Sequence, residues 1–408
     1  MNCESFGSCG SCTLGEPYED QILYKKQLIG DKFKEFFDGE FEFFASQPQN
    51  YRIRAEFGIW HDIWHSASDL AYTMGGAQSK KILINECPKV VLPIANLMPQ
   101  LLEALRRSEV LKERLFGVEF ISCASGILAT LLYHKRLGER EQGAICELAG
   151  KLGIRVMARA RGQKLLSGEL SLTDELCVDG RVYKFRFGEN AFIQPNRGVN
   201  EKMIAWARSC VDFGKDGASE VCAAQNSSRE QSALQNNSSC EQHTVRQESS
   251  AARDLLELYC GHGNFTIPLA AKFNRVLASE ISKSSIANAR INCELNGVCN
   301  AQFVRLSADE LMSAFARQRE FERLKGIDIF GYDFSHVLID PPRAGLEPSV
   351  IDFIKNFRNL IYISCNPQTL FENLRSLCAT HEVQKFAIFD QFAHTAHIEC
   401  GVLLRRRS

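Results

Sequence analysis

The chain has 408 residues, 45% hydrophobic and 24% charged, and 48 Lys and Arg against 49 Asp and Glu leave a formal net charge of −1. That length exceeds one ordinary domain and predicts two or three, and the composition is that of a soluble globular enzyme, not of a disordered, collagen-like or membrane protein. No apolar run reaches the length of a membrane span, and the opening MNCESFGSCGSC lacks the basic-then-apolar order of a secretory signal.

A cytoplasmic location and no membrane partner are therefore expected, and the sixteen Cys are read as core residues, metal ligands or nucleophiles, not disulfides. Near-zero net charge argues against non-specific nucleic-acid binding by the whole surface and leaves room for a local basic face. Residues 1–50 form a first unit, a Cys motif followed by a Lys-rich helix over 19–37 with Ile22, Leu23, Leu28, Ile29 and Phe33 on one side. Residues 51–190 read as an α+β region. YRIRAEFGIWH alternates as a half-buried strand does, ILATLLYHK and RVYKFRFG read as further strands, and 99–113 as a helix. Its Arg52, Arg54, Arg155, Arg159, Arg161, Lys164, Arg181, Lys184 and Arg186 suit either a solvated sheet face or an RNA-facing surface. Residues 191–408 form the last unit. Within it, Ser, Asn and Gln fill 16 of the 35 positions of 218–252. That is too little apolar surface to offset ordering entropy, so the segment reads as a disordered insertion with incidental Cys222 and Cys240. From Asp254 onward strands and helices alternate: LLELYC, RVLASE, QFVRL, HVLID and LIYISC, each followed by a helical stretch, then closing strands FAIFD and CGVLLRR. Such alternation means an α/β, doubly wound, Rossmann-like sheet, whose ligands bind at the carboxyl ends of the strands. Residues 259–264, Glu280, 340–343 and 365–367 fall along that rim.

Four motifs carry chemistry. In ELYCGHGNF, Gly261 and Gly263 let the backbone approach a nucleotide-like group, and Glu280 at the next strand end suits a ribose diol. Thr266 stands where a dinucleotide fingerprint has its third glycine, which disfavours a nicotinamide cofactor and favours S-adenosylmethionine; a structural corner is the bland alternative. In LIDPPRAGL two prolines fix an extended turn after a strand and leave Asp340 at the tip to accept hydrogen bonds, with Arg343 where base-amino methyltransferases place an aromatic. In YISCNPQTL, Cys365 ends a buried strand, with Asn366 an N-cap and Pro367 the first helical residue. A thiol there is expected to favour thiolate, the alternative being a core Cys. In HTAHIECGV, Glu399 is an acid inside an apolar strand, where burial raises its pKa and suits a general base; a paired structural carboxylate is the alternative. Together they suit methylation of carbon 5 of uracil. A thiolate adds to carbon 6, carbon 5 becomes nucleophilic and takes a methyl group, and a base removes the carbon 5 proton as the thiol leaves. The base must first leave its stack.

On YRIRAEFGIWHD, LLYHKRL, FIQPN, LLELYCGHGNF, FERLKGIDI, DPPRAGL, LIYISCNPQTL and FDQFAHTAHIECGVLL, the chain resembles the bacterial tRNA (uracil-5-)-methyltransferase family of RNA 5-methyluridine methyltransferases over nearly its whole length. The resemblance implies methylation of the T-loop uridine of tRNA, and of tmRNA, with Cys365 as nucleophile and Glu399 as base. It implies S-adenosylmethionine contacts from Gln194, Tyr259, Asn264, Glu280 and Asp340, and stacking of RNA by Phe116 and Phe192, with Arg52, Arg54 and His134 as further RNA contacts. A monomer is expected. One departure is the C-x5-C-x2-C of Cys3, Cys9 and Cys12 which, with Cys87 before Pro88, resembles the iron–sulfur motif of the sister 23S rRNA uracil-5-methyltransferases. Four such thiolates could hold a [4Fe-4S] cluster, zinc being the chemical alternative. The competing functions are an rRNA uridine methyltransferase, a non-catalytic RNA-binding protein and a nicotinamide dehydrogenase.

Overall fold

The computed structural model describes residues 3–62, 69–76, 80–188, 191–212 and 252–407; apart from its last residue, the 218–252 insertion lies outside them. Helix α1 (Tyr18–Phe33) carries Glu19 and Asp20 in its first turn and Lys32 in its last, matching the helix dipole. Its buried stripe is Gln21, Lys25, Ile29 and Phe33, whereas Leu23 is 65% exposed. Of the expected apolar side, Ile29 and Phe33 pack into the core, while Leu23 and Leu28 stay exposed. Two polar residues are buried instead because Lys25 meets Asp390 at 2.7 Å and Gln21 bonds the backbone N–H of His394. Strand β1 (Phe41–Phe44) follows.

The next strands build a seven-stranded sheet: β2 (Arg54–Asp62), β3 (Asp69–Gly75), β4 (Lys81–Ile84), β5 (Leu115–Cys123), β6 (Gly126–Tyr133), β7 (Arg155–Ala160) and β8 (Gln163–Leu166), in the order β4-β3-β2-β5-β6-β7-β8. Helices α2 (Leu92–Arg107), α3 (Glu109–Lys112) and α4 (Glu139–Leu152) complete this layer, and Leu97, Leu101, Leu105, Ile145 and Leu148 pack with Phe57, Tyr72, Val118 and Leu131 of the sheet. The expected helix start at residue 99 is wrong by two turns. Pro93, not Pro99, occupies the first turn, where a missing N–H costs nothing, and Pro99 is accommodated inside the helix.

A hairpin, β9 (Leu172–Val178) and β10 (Arg181–Phe187), leads to helix α5 (Arg197–Asp212). The second sheet contains β11 (Ala252–Leu258), β12 (Phe273–Ser279), β13 (Ala301–Val304), β14 (Phe334–Ile339), β15 (Asn359–Ser364), β16 (His381–Phe389) and β17 (Glu399–Arg406). Its order is β1-β16-β17-β15-β14-β11-β12-β13. Helices α6 (Thr266–Leu269), α7 (Lys283–Asn296), α8 (Ala308–Phe315), α9 (Pro348–Ile354) and α10 (Pro367–Leu377) connect its strands. Every pairing is parallel except those of β17, which runs antiparallel to both β15 and β16. The strands are apolar on both faces because both are covered. Leu255, Val276, Leu338 and Ile361 pack toward α5 and α7, and Leu256, Leu277, Val337 and Leu360 toward α1, α9 and α10. Strand β11 has β12 on one side and β14 on the other, so the winding reverses beside it, the position at which such sheets bind ligands. The doubly wound α/β architecture expected from the alternation is the one observed.

Candidate functional site

Strand ends at this reversal bring the motif residues to one rim. Leu258 is level with Ser279 of β12 and Ile339 of β14, so Tyr259, Glu280 and Asp340 follow on adjacent strands. The turn after β11 is sharp: Tyr259, Gly261 and Gly263 have φ of +62°, +56° and +90°, and a Cβ on Gly263 would stand 3.2 Å from Ile267, so glycine is needed there. Glu280 closes this turn by accepting the N–H of Gly261 at 3.2 Å with one oxygen and that of Ser282 at 2.7 Å with the other. Asn264 shares a reciprocal amide pair with Asn200 at 2.9 Å. Burial pushes the Tyr259 hydroxyl up to about 12 and the Asp340 carboxyl up to about 7.

The antiparallel last strand supplies the other wall. Its ladder pairs Ser364 with Cys400, so one step further Cys365 faces Glu399. Burial, together with the Asp340 charge, pushes the Glu399 carboxyl up to about 8. Burial likewise raises the Cys365 thiol, and Glu399 and Asp340 add to the rise, while Arg343 and the residue's own backbone N–H oppose it. The expectation that the helix start would favour thiolate is therefore corrected. Asn366 does cap α10, accepting from the Gln368 N–H at 3.1 Å, but two acidic neighbours and desolvation outweigh the helix end.

These two residues open into a cleft of about 590 Å³ between the sheets, lined also by Arg52, Arg54, Phe192, Gln194, Arg343 and His397. That volume lies in the range of small-molecule sites. Phe192 is 72% exposed at its mouth. Arg52 lies over the Phe392 ring, 5.5 Å from its centroid, and Arg54 is held by Glu119 at 2.5 Å. Gln194 is buried and also lines a smaller adjoining hollow with Asn264, so it stands between the cleft and the rim. Phe116 and His134 do not line the cleft; their rings stack on each other at 3.9 Å.

A profile of the family described as tRNA (Uracil-5-)-methyltransferase matches residues 17–228 and 221–407. A relative named tRNA/tmRNA (uracil-C(5))-methyltransferase from Campylobacter concisus is 56% identical, with all of both chains aligned. One of the same name from Sulfurovum is 43% identical over all of both chains. The chain belongs to the tRNA (uracil-5-)-methyltransferase family. The fold agrees with that membership. The Pyrococcus abyssi tRNA (uracil-54, C5)-methyltransferase, solved with S-adenosyl-L-homocysteine, superposes with a TM-score of 0.64 at 18% identity, covering 95% of this chain and 83% of that one.

Apart from the cleft, Cys3, Cys9, Cys12 and Cys87 line one small cavity, with Phe6, Met74, Ile84 and Lys89. Among the described residues no three His, Cys, Asp or Glu side chains are grouped closely enough to hold a metal ion. Sequence reasoning missed Lys89, whose ammonium donates to Ser11 Oγ at 2.7 Å and which borders both this cavity and the cleft. It also missed Gln391, although its one signal was present: a polar residue two positions past the end of an apolar strand. Among the described residues no helix is long and apolar enough to cross a membrane.

Proposed function

We propose that this family member methylates carbon 5 of the T-loop uridine of tRNA, and the equivalent uridine of tmRNA, through a covalent bond between Cys365 and carbon 6. The observation that carries the proposal is that Cys365 and Glu399, one step beyond the last pair of the β15–β17 ladder, line one cleft with Phe192 and Gln194. A uracil extruded from its loop and stacked on an exposed aromatic such as Phe192 would lie between a nucleophile and a base. The Cys365 sulfur adds to carbon 6 and makes carbon 5 electron-rich. Once carbon 5 is methylated, Glu399 takes its proton, the C6–S bond breaks and the thiol is restored.

Tyr259, Asn264, Glu280, Asp340 and Gln194 would hold S-adenosylmethionine, and the bare backbone of the 259–263 turn with the fixed Glu280 carboxylate at its side fits such a ligand. When bound, that molecule supplies a methyl group on a sulfonium. Arg52 and Arg54 at the cleft, and Phe116 and His134 outside it, would contact the surrounding RNA. The four Cys about one cavity suit a [4Fe-4S] cluster, each supplying one thiolate; its part would be to tie the N-terminal loop to residue 87, with no role in the methylation steps. The same Cys set favours one second reading, methylation of 23S rRNA, and nucleoside analysis of tRNA and rRNA from a deletion strain separates the two.

The test is to incubate purified protein with methyl-labelled donor and unmodified tRNA and to map the labelled nucleoside. The wild type should give 5-methyluridine in the T loop, and Cys365→Ala should give neither product nor a covalent protein–RNA complex. Full activity in Cys365→Ala would overturn the proposal.

A further inference from the structure

Two buried side-chain atoms among the described residues lack a hydrogen-bond partner, Gln391 Oε1 and Glu399 Oε2. They belong to neighbours. Phe389 pairs with Glu399 across the β16–β17 ladder, Gln391 stands two residues beyond Phe389, and its side chain acts on the Glu399 carboxyl as a hydrogen-bond donor does, holding its pKa down against the rise that burial causes. The far end of the amide is already fixed: Nε2 donates to Gln194 Oε1 at 3.0 Å and to Met203 Sδ at 3.2 Å. An amide oxygen accepts only, and so does a carboxylate oxygen. Left unpaired in a buried site, each would carry its desolvation penalty. A proton on Glu399 would supply the donor that these two acceptors lack.

We propose that Gln391 is the positioning residue of Glu399: its amide oxygen accepts the O–H of the neutral acid and, with the amide turned over, its NH2 donates to the carboxylate. The inference rests on the reading of Glu399 as the base. The bond to Gln194 survives the turnover with donor and acceptor exchanged, provided that the Gln194 amide turns with it. The ionised fraction acts as the base, and the neutral acid is both the form that predominates at rest below about pH 8 and the state reached after proton abstraction. The C5–H bond breaks, its electrons form the C5–C6 double bond, the C6–S pair returns to Cys365, and the proton rests on Glu399 until it passes to water in the open cleft. Charged and titratable groups facing Glu399 are Asp340 and the Cys400 thiol beside it, Cys365, Arg343 and His397 along the cleft, and Arg52, Arg54, Lys89, Glu56 and Glu119 on its other walls. The Lys25–Asp390 pair lies one residue before Gln391.

Two measurements test this. Infrared difference spectra of wild type against Glu399→Gln near neutral pH should show the carbonyl stretch of a hydrogen-bonded carboxylic acid. That band should disappear as pH rises past about 8 and should shift in Gln391→Met. In steady-state assays, Gln391→Met should lower kcat about tenfold or more with KM within about twofold. It should also move the acid limb of the kcat profile up by about half a pH unit or more and accumulate the covalent protein–RNA complex, as Glu399→Gln does, while Gln391→Asn recovers part of the loss. Absence of the band in wild type, or a wild-type pH profile in Gln391→Met, overturns the inference. The spectral arm needs no folded Gln391 variant and no activity. A band present in a protein that does not methylate uridine would therefore fault the proposed function and leave the proton's position standing.

Discussion

Two buried carboxyls, Glu257 and Glu399, and the half-buried Asp340 have their pKa raised to about 8, 8 and 7, in each case chiefly by desolvation. Glu399 lines the cleft and Asp340 stands at the strand rim beside it; Glu257 lies beneath the rim and accepts the Thr266 hydroxyl at 2.6 Å. A carboxyl whose folded pKa exceeds its unfolded value keeps its proton in the folded state while the unfolded chain ionises. Its contribution is complete below the ordinary carboxylate range and is lost as pH rises toward about 8. Urea midpoints should therefore fall between about pH 5 and about pH 8, and Glu257→Gln should flatten that fall by on the order of a few kcal/mol. An equally steep fall in the variant would show that Glu257 is ionised in the folded protein. Glu399 was legible as a buried acid because it interrupts an apolar strand pattern. The high Cys365 pKa was not, because it depends on two carboxyls from strands 25 and 34 residues away in the chain.

Helix α1 reaches the site through one ion pair. Lys25 and Asp390 are both fully buried at 2.7 Å, Tyr18 donates a second bond to Asp390 at 2.7 Å, and Gln21 reaches both the backbone N–H and the ring of His394. These bonds hold the loop between β16 and β17, the loop that carries Gln391 and ends at Glu399. Burial pulls the Lys25 ammonium down while Asp390 supports it, so removing either partner strands the other. Lys25→Met should cost roughly 3–5 kcal/mol, and Lys25→Met with Asp390→Leu should recover much of it; a denaturant series on the two variants checks this. Periodicity located α1 and the α/β strands because local pattern sets them. It found Ile29 and Phe33 on the buried side of α1 but not Gln21 and Lys25, because apolar spacing cannot announce a buried charge pair whose partner lies 365 residues on. The start of α2 was missed for a different reason: two prolines were available and only packing chose between them.

At the scale of the whole molecule the N-terminal loop is a strap. Cys9 bridges to Gly76 and Gly10 bonds the Gly75 carbonyl, Ser11 accepts from Lys89, and the N–H groups of Thr13 and Leu14 both bond the His394 carbonyl. It therefore links the seven-stranded sheet to the loop that carries Gln391. If the proposed cluster fastens it, Cys87→Ser should lower bound iron and sulfide and expose residues 1–16 to limited proteolysis; unchanged iron content with an intact strap would count against a cluster. Sequence alone could pair Cys87 with the early Cys only through family likeness, since nothing in their spacing brings residues 12 and 87 together. Strand β1 has a consequence of another kind. Residues 41–44 take the outer place beside residues 386–389, so one of the first strands made by the ribosome has no ladder to join until nearly the entire chain has been synthesised. Long-range pairing of this sort delays folding. Until then Phe41–Phe44 lacks its strand partner, and the outer edge of β16 stays open to pairing with other chains until β1 docks on it.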